Sequence, residues 1–259
     1  MARRYGARGS TIYQTQLARR AEGVGGERRL CYDARVAARS AETKRRVAAV
    51  ARRLVKKYGT PRRRRRPPFD ELVQTVLSQN TTDVNSARTF ASLKERFPLL
   101  KDLATADVRA VAASIRLGGL ERVKARYLKE ITREVLKRRG NTDLSFLNKM
   151  DDGEAEAWFT SLPGVGAKTA RVVLLFSFGR DVFPVDTHIL RLTRRLGFTG
   201  AKATAAAAHE FWDEYCPPGK ARELHLGLIR HGREVCAARR PACDACVLAD
   251  LCPSRGTFK

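Results

Sequence analysis

The sequence predicts an all-α fold, for three reasons. Apolar residues recur at helix spacing almost throughout the chain from Phe69 onward. No convincing run of alternating apolar and polar residues, the pattern of a half-buried strand, is present. The connections between helical segments are mainly short, which is typical of compactly packed helices. With 259 residues, the chain is long enough for one large domain or two modest ones with their own cores.

The N-terminal part of the chain divides into a basic arm and a first helix. Residues 1–40 are rich in Arg, poor in acids and lack apolar periodicity, so they predict a mostly disordered arm. The first helix is expected over about 41–58 and is ended by Gly59. Its buried side is predicted to carry Val47, Val50, Leu54 and Val55. The charged segment Arg62–Arg66 and two prolines after it predict a stiff linker.

Two apolar stripes indicate later helices. The first consists of Leu72, Val73, Val76 and Leu77. The second, which we expect to face the core, consists of Leu120, Val123, Tyr127, Ile131 and Val135. Gly140 closes the second stripe. The apolar stretch Val172–Phe178 is far shorter than the ~20 residues of a membrane span and predicts a core helix.

The charge of the chain indicates a polyanionic partner. Lys and Arg total 51 against 27 Asp and Glu, which gives a net charge of +24. Such a field attracts nucleic acid, which is the first partner to consider. The sequence has no spanning segment and no apolar signal-peptide core, so we expect no membrane partner and a cytoplasmic, nucleoid-associated location. Thiols stay reduced there, and clustered cysteines then indicate metal rather than disulfides.

Four of the six cysteines are clustered near the C-terminus. They are Cys236, Cys243, Cys246 and Cys252, with six, two and five residues between them. Thiolates this close can converge on one centre, and soft ligands select zinc or iron–sulfur. Zinc sites usually combine two close ligand pairs, whereas only one pair here has the short spacing, which favours an iron–sulfur cluster over a zinc clip. Cys31 and Cys216 are predicted to be isolated thiols.

Two arginines, Arg239 and Arg240, lie between the first two clustered cysteines. A loop restricted by metal and exposing two arginines suits phosphate contact. A solvated basic loop is the alternative, because any chain this cationic has such loops.

The segment Leu162–Ala170 predicts a turn between two helices, with sequence LPGVGAKTA. Its glycines permit a tight turn and a close backbone approach to a ligand. The helix after it directs N–H groups at whatever binds there, and a DNA phosphate suits that position. Gly164, Val165 and Gly166 are therefore candidate DNA contacts in a helix–hairpin–helix motif. An ordinary αα-turn with a Gly cap remains the alternative.

Lys168 and Asp186 are the candidate catalytic residues. Lys168 lies in the first turn of the helix after the hairpin, where the helix dipole and the positive surroundings should lower its pKa and favour the nucleophilic amine. A solvated, phosphate-binding lysine is the alternative. Asp186 could stabilise a cationic sugar or simply cap the next helix. A histidine in the position of His188 is more often packed in the fold or in contact with a phosphate than a catalytic residue.

Taken together, these motifs resemble the endonuclease III family. The resemblance rests on the hairpin with Lys168, on VDTH at 185–188, on HGR at 231–233 and on the cysteine pattern, and it runs from about residue 41 to 253. It implies a two-lobed helix–hairpin–helix glycosylase fold. A six-helix lobe, 69–181, would be inserted between the segments 41–68 and 182–259 of an iron–sulfur cluster lobe.

The resemblance also implies a function: a bifunctional DNA glycosylase and AP lyase that excises oxidised pyrimidines from damaged double-stranded DNA. Lys168 matches the family's lysine and Asp186 its aspartate. The four clustered cysteines would hold a [4Fe–4S] cluster that serves structure and DNA contact. The flipped base would leave by attack of the lysine on the sugar, and a Schiff base would drive β-elimination. We expect a monomer.

The family fills the gap left by the flipped base with side chains from loops. Asn80 matches the position where many members have glutamine, and Gln79 beside it could act instead. A second such residue maps to Leu120. The alternatives are a polar loop that ends a helix and an ordinary core leucine. The segment Trp158–Ser161 departs from relatives that carry an acid there, which leaves lesion preference open.

Two other functions fit part of the pattern. A monofunctional uracil or thymine mismatch glycosylase of the same superfamily would carry a residue other than lysine at position 168. A non-catalytic iron–sulfur DNA-binding protein would fit the charge and the hairpin equally well. Lys168 argues against the mismatch glycosylase, and the pair Lys168 and Asp186 distinguishes an enzyme from the non-catalytic protein.

Overall fold

The protein is all-helical in the part of the chain that the computed structural model describes. That part comprises residues 26–61 and 65–257, with the backbone alone for 26–36. The α-helices are α1 Gly26–Tyr58, α2 Pro68–Leu77, α3 Asp83–Arg96, α4 Val108–Ser114, α5 Glu121–Arg139, α6 Asp152–Thr160, α7 Ala167–Val173, α8 Thr187–Arg195, α9 Ala205–Tyr215 and α10 Ala221–Glu234. The predicted all-α fold class is confirmed.

The chain forms two compact units. One consists of residues 62–184 and contains α2 to α7, and the other joins the segments before and after it, 1–61 and 185–259. None of the described helices is long and apolar enough to cross a membrane.

The first helix begins at Gly26, so the predicted start near Ala41 was wrong. Residues 26–40 are therefore helical rather than part of a disordered arm, whereas 1–25 lie outside the described residues. The error has a physical reason. The segment is rich in Ala and Arg, which are good helix formers but leave no apolar stripe to detect. The end of the helix matches its prediction, because Gly59 adopts a left-handed φ of 76°.

In the unit of α1 and α8 to α10, helix α10 packs against α1 and α8. Two glycines allow this close approach. A Cβ on Gly227 would lie 3.2 Å from Leu54 Cβ, and one on Gly232 would lie 2.9 Å from His188 Cβ. Leu54 itself is fully buried with Val47 and Val50, as their spacing predicts.

In the unit 62–184, α2 buries Leu72, Val73, Val76 and Leu77 as expected. The stripe predicted for α5 is only half right. Ile131 and Val135 are fully buried, but Leu120, Val123 and Tyr127 are 52%, 38% and 37% exposed. The buried face instead continues towards the N-terminus through Leu128 and Lys124. A lysine thus occupies a core position that the predicted stripe does not include.

The stretch 172–178 is helical, as expected, and changes from α-helix to π-helix along its length. Helix α7 continues directly into a π-helical turn, Leu174–Phe178, which ends at Gly179. Leu174 and Leu175 of this turn are buried.

Candidate active site and metal centre

The hairpin between α6 and α7 needs its first glycine for reasons internal to the fold. Gly164 has a φ of 70°, and a Cβ there would lie 2.9 Å from the Tyr127 ring. Val165 is 5% exposed. Its side chain is therefore a core contact, and only its backbone is available to a ligand.

Gly166 is different, because neither conformation nor packing requires a glycine. Its φ of −97° is open to any residue, and a Cβ there would meet nothing within 4 Å. Gly166 is the N-cap of α7 and provides no side-chain hydrogen bond to the helix. The approach to the first N–H groups of α7 is thus left open on the side where a side chain would stand.

Lys168 is the second residue of α7, as the sequence predicts, and is half-buried. Asp186 belongs to the other unit and caps α8 by accepting a 2.8 Å hydrogen bond from Ile189 N. The prediction that Asp186 caps this helix is therefore confirmed. The cap hydrogen bond uses one carboxylate oxygen, Oδ1. A catalytic role of Asp186 stays a prediction.

His188 is oriented by an arginine. Arg191 Nη2 lies 3.1 Å from His188 Nδ1. Because a guanidinium can only donate, Nδ1 accepts, and the neutral imidazole carries its proton on Nε2. His188 thus has a donor for a phosphate oxygen at Nε2.

Three non-glycine residues in the described part of the chain have positive φ, and all three are candidate DNA contacts. They are Asn80, Leu120 and Arg240, with φ of 52°, 53° and 55°. All three are exposed. Left-handed backbone is tolerated by Asn but costs about 1–2 kcal/mol in other residues. Strain of this kind concentrates at functional sites.

The loops that carry Asn80 and Leu120 are joined by a buried lysine that the sequence analysis missed. Lys124 is 2% exposed, and its Nζ donates to Leu77 O at 2.9 Å and to Gly118 O at 2.8 Å. A signal was present in the sequence. Lys124 precedes Leu128, Ile131 and Val135 at spacings of four, three and four residues, which places it on the apolar face.

The four clustered cysteines line one cavity, together with Arg195 and neighbouring loop residues. All four are half-buried, and none of them forms a disulfide. Burial, followed by the effect of the neighbouring thiols, raises the pKa of Cys246 and of Cys252. The four sulfurs therefore surround one space and influence one another electrostatically.

The donor set of the cavity fits an iron–sulfur cluster. Four cysteines line the same cavity, and cysteine thiolates are the usual ligands of such clusters. Two donors already face these sulfurs: Arg195 Nη1 lies 3.2 Å from Cys236 Sγ, and Leu248 N lies 3.4 Å from Cys246 Sγ. Such donors stabilise thiolate ligands.

A buried histidine also contacts the cysteine cavity. His231 is 1% exposed, with Nε2 3.3 Å from Cys246 Sγ and Nδ1 3.1 Å from the Tyr58 hydroxyl. Burial lowers the pKa of His231 to about 4, so the ring is neutral at physiological pH. A neutral ring can donate from Nε2 to sulfur while Nδ1 accepts from the tyrosine.

Arg239 and Arg240 are exposed. The loop that carries them is held by hydrogen bonds from the side chain of Arg195 to its backbone. Arg195 donates to Ala237 O at 2.7 Å and to Ala238 O at 2.9 Å. The same side chain contacts Cys236 Sγ. The loop and the first cysteine are thus held by one guanidinium.

Two family models match this chain, and together they cover parts of both units. Residues 73–218 match the HhH-GPD superfamily of base excision DNA repair proteins. Residues 236–252, which include all four clustered cysteines, match the iron–sulfur binding domain of endonuclease III.

Individual relatives agree with these matches. The chain is 36% identical to endonuclease III of Sulfolobus acidocaldarius over 186 residues, which covers 71% of this chain and 81% of that protein. It is 32% identical to endonuclease III of Escherichia coli (strain K12) over 185 residues, or 71% and 83% of the two chains.

Solved structures extend the similarity to three dimensions. A trapped endonuclease III–DNA covalent intermediate matches with a TM-score of 0.72 and 28% identity, covering 83% of this chain and 97% of that one. A thermostable thymine-DNA glycosylase matches with a TM-score of 0.71 at 22% identity, over 83% and 98% of the two chains, and shares the fold.

Proposed function

We propose that this chain, which belongs to the endonuclease III family of base excision DNA repair proteins, excises oxidised pyrimidines and cuts the strand through Lys168. The chain is a DNA glycosylase and DNA-(apurinic or apyrimidinic site) lyase that binds DNA and carries a [4Fe–4S] cluster. The lesion class and the residues that act on it are the proposal.

The observation that carries the proposal is the start of α7. Lys168 is the second residue of a helix whose N-cap, Gly166, has no side chain and open space beside it. The attacking amine must be uncharged, and the first turn of a helix is a position that opposes a positive charge. A phosphate that contacts the N–H groups beside Gly166 would bring the sugar of the adjoining nucleotide towards Lys168.

The proposed reaction proceeds in two stages. Lys168 Nζ attacks C1′ of the flipped nucleotide, the bond from C1′ to the base breaks, and the base leaves with the electron pair and takes up a proton. Asp186 stabilises the positive charge that develops on the sugar. The bond from C1′ to the ring oxygen then breaks, that oxygen takes up a proton, and a protonated Schiff base forms between C1′ and Lys168. Loss of a proton from C2′ expels the 3′ phosphate, and water releases the lysine.

Cys236, Cys243, Cys246 and Cys252 would hold the cluster. When bound, the cluster would cross-link four points of the loop region, and the proposed reaction includes no redox step. The remaining proposed DNA contacts are Gln79, Asn80, Leu120, Gly164, Val165, Gly166, His188, Arg239 and Arg240. Asn80 or Gln79 and Leu120 would fill the gap in the duplex, and the others would contact the backbone.

We also propose the lobes, the oligomeric state and the location. The six-helix lobe would span 69–181, and the cluster lobe 41–68 with 182–259. The enzyme would act as a monomer on double-stranded DNA in the cytoplasm, associated with the nucleoid.

The test is covalent trapping across a lesion panel. Oxidised-pyrimidine, uracil and abasic duplexes are incubated with enzyme and borohydride, and base release, strand cleavage and adduct are scored separately. Wild type should trap on oxidised-pyrimidine and abasic duplexes. Lys168→Ala should lose the adduct completely, because only the reduction of a Schiff base joins the enzyme covalently to DNA. Lys149→Ala removes an exposed lysine of the same unit and is the matched control.

Other results would redirect the assignment. An adduct that persists in Lys168→Ala would place the nucleophile elsewhere. Release of uracil without strand cleavage would favour a monofunctional mismatch glycosylase. Tight binding without base release or trapping on any duplex would leave only DNA binding.

A further inference from the structure

Lys124 occupies a position where an apolar side chain would be expected. It lies on the buried face of α5 with Leu128, Ile131 and Val135, and is 2% exposed. Burial lowers the pKa of Lys124, because an ammonium group loses its hydration there. Removing an amine from water is costly unless its donors are satisfied. The two carbonyls that Lys124 contacts are thus the reason this position can hold a lysine.

Those carbonyls mark the starts of two loops. Leu77 is the last residue of α2 and begins the loop that carries Asn80. Gly118 ends the short 3-10 segment from Arg116 and directly precedes the Gly119–Leu120 bend. One amine therefore bridges two segments that lie about 40 residues apart in the sequence, at 2.9 Å and 2.8 Å.

A second contact connects the same two loops. A Cβ on Gly118 would lie 3.1 Å from Thr89 of α3, so the 3-10 segment packs closely on that helix. Helix α3 begins where the Asn80 loop ends, and Thr82 caps it by accepting from Asn85 N at 3.2 Å. The beginning of one loop and the helix that follows it are thus both attached to Gly118.

We propose that Lys124 is a positioning residue that couples these loops, so that Asn80 and Leu120 enter the duplex together as one two-pronged wedge. The inference rests on the proposed function, because it assumes that these residues fill the gap left by the flipped base. Both are exposed and held in left-handed backbone. Without a link between the loops, Asn80 and Leu120 could change conformation independently, and the distance between their side chains would no longer be fixed.

The same helix provides a matched control. Lys129 is also a buried lysine of α5, at 9% exposure, and its Nζ donates to a backbone carbonyl, that of Ala106. Burial lowers the pKa of Lys129 as well. Ala106 belongs to neither wedge loop. Lys129→Met thus removes a similar buried amine without uncoupling Asn80 from Leu120.

The experiment compares Lys124→Met and Lys129→Met on two substrates. One is a duplex with an oxidised pyrimidine, and the other is a single-stranded oligonucleotide with an abasic site, which has no base to flip and no gap to fill. Lys124→Met should lower kcat/KM on the duplex by about 100-fold, as expected for displaced positioning groups. On the single strand the loss should stay below about threefold. Lys129→Met should affect both substrates equally.

A fluorescent base beside the lesion provides a readout that does not depend on Lys168. Its fluorescence rises when the enzyme unstacks the duplex, and the rise should be reduced by Lys124→Met and retained in Lys129→Met. If wild type unstacks DNA but traps no adduct on any substrate, the lyase assignment fails while this comparison still decides the role of Lys124.

Equal losses on duplex and single strand, or an undiminished fluorescence rise in Lys124→Met, would overturn the proposal. The free energy of unfolding is measured for both variants in urea, so that a purely structural effect is recognised. Should Lys124→Met not fold, Lys124→Gln keeps an N–H donor group in a shorter side chain. Its kcat/KM should fall more on the duplex than on the single strand, but by less than in Lys124→Met.

Discussion

Two exposed surfaces of this protein carry strained residues, and they are stabilised by different chemistry. In the unit 62–184, Leu120 follows a loop that Lys124 holds through backbone carbonyls. In the other unit, Arg240 lies on a loop that Arg195 holds through Ala237 O and Ala238 O, next to the cysteine cavity. Both residues have left-handed backbone, with φ of 53° and 55°.

The difference shows which change would alter the conformation of each loop. The loop of Leu120 depends on a buried amine inside a helical core, which remains in place whether or not iron is bound. The loop of Arg240 begins and ends at cysteines, so its conformation depends on what those thiols bind as well as on Arg195. Loss of the cluster should therefore loosen one surface and spare the other.

The largest expected effect comes from Cys246→Ser. Removal of one proposed ligand should lose the cluster and expose the amides of 237–242 to hydrogen exchange, with several kcal/mol of local stability lost. The amides of 118–124 should keep their protection. Visible absorbance reports the cluster, and exchange followed by mass spectrometry reports both segments. Cys216→Ser, in the same unit but outside the cavity, is the control. Equal deprotection of both segments would contradict the comparison.

The comparison can be sharpened within the hairpin by two glycine substitutions. Gly164→Ala forces a Cβ to 2.9 Å from the Tyr127 ring at a positive φ, and should destabilise the protein by about 2 kcal/mol. Gly166→Ala meets no protein atom within 4 Å and should change stability by less than about 0.5 kcal/mol. Its DNA affinity should nevertheless fall, because the new methyl group occupies the approach to α7. Urea unfolding and binding titrations measure the two effects; unchanged affinity in Gly166→Ala would remove that approach from the interface.

The smallest effects should come from relieving strain at each surface. Asn tolerates left-handed backbone, so Leu120→Asn and Arg240→Asn should each stabilise the protein by up to about 1 kcal/mol. Their functional losses should differ. Leu120→Asn should reduce base release from duplex DNA, whereas Arg240→Asn should flatten the log–log salt dependence of binding by roughly 0.9, the contribution of one phosphate contact. An identical salt slope in wild type and Arg240→Asn would argue against that contact.

The sequence predicts best those features that depend on local rules. The ends of α1 and α5 follow from Gly59 and Gly140, whose positive φ only glycine adopts cheaply. Motifs with fixed spacing predict the start of the hairpin helix near Ala167 and the convergence of the four clustered cysteines on one cavity. None of these predictions requires knowledge of the tertiary packing.

The features that the sequence does not predict depend on tertiary contacts. Residues 26–40 form a helix without an apolar stripe, so periodicity could not detect it. The exposed face of α5 was mistaken for the buried one because Leu120, Val123 and Tyr127 are apolar, while Lys124 is not. The spacing of Lys124 places it on the apolar face, but only its two carbonyl partners, which lie outside α5, show why a lysine can be buried there.

The π-helical turn at Leu174–Phe178 affects the orientation of Lys168 around the helix axis. A π turn accommodates one residue more than an α-helical turn, and one residue corresponds to about 100° of rotation around the axis. Deleting a single residue from this turn would restore regular α-helix and swing Lys168 around the axis relative to the side chains anchored beyond Gly179. Insertions and deletions in this turn thus offer a way to redirect Lys168 without altering any of the proposed DNA contacts.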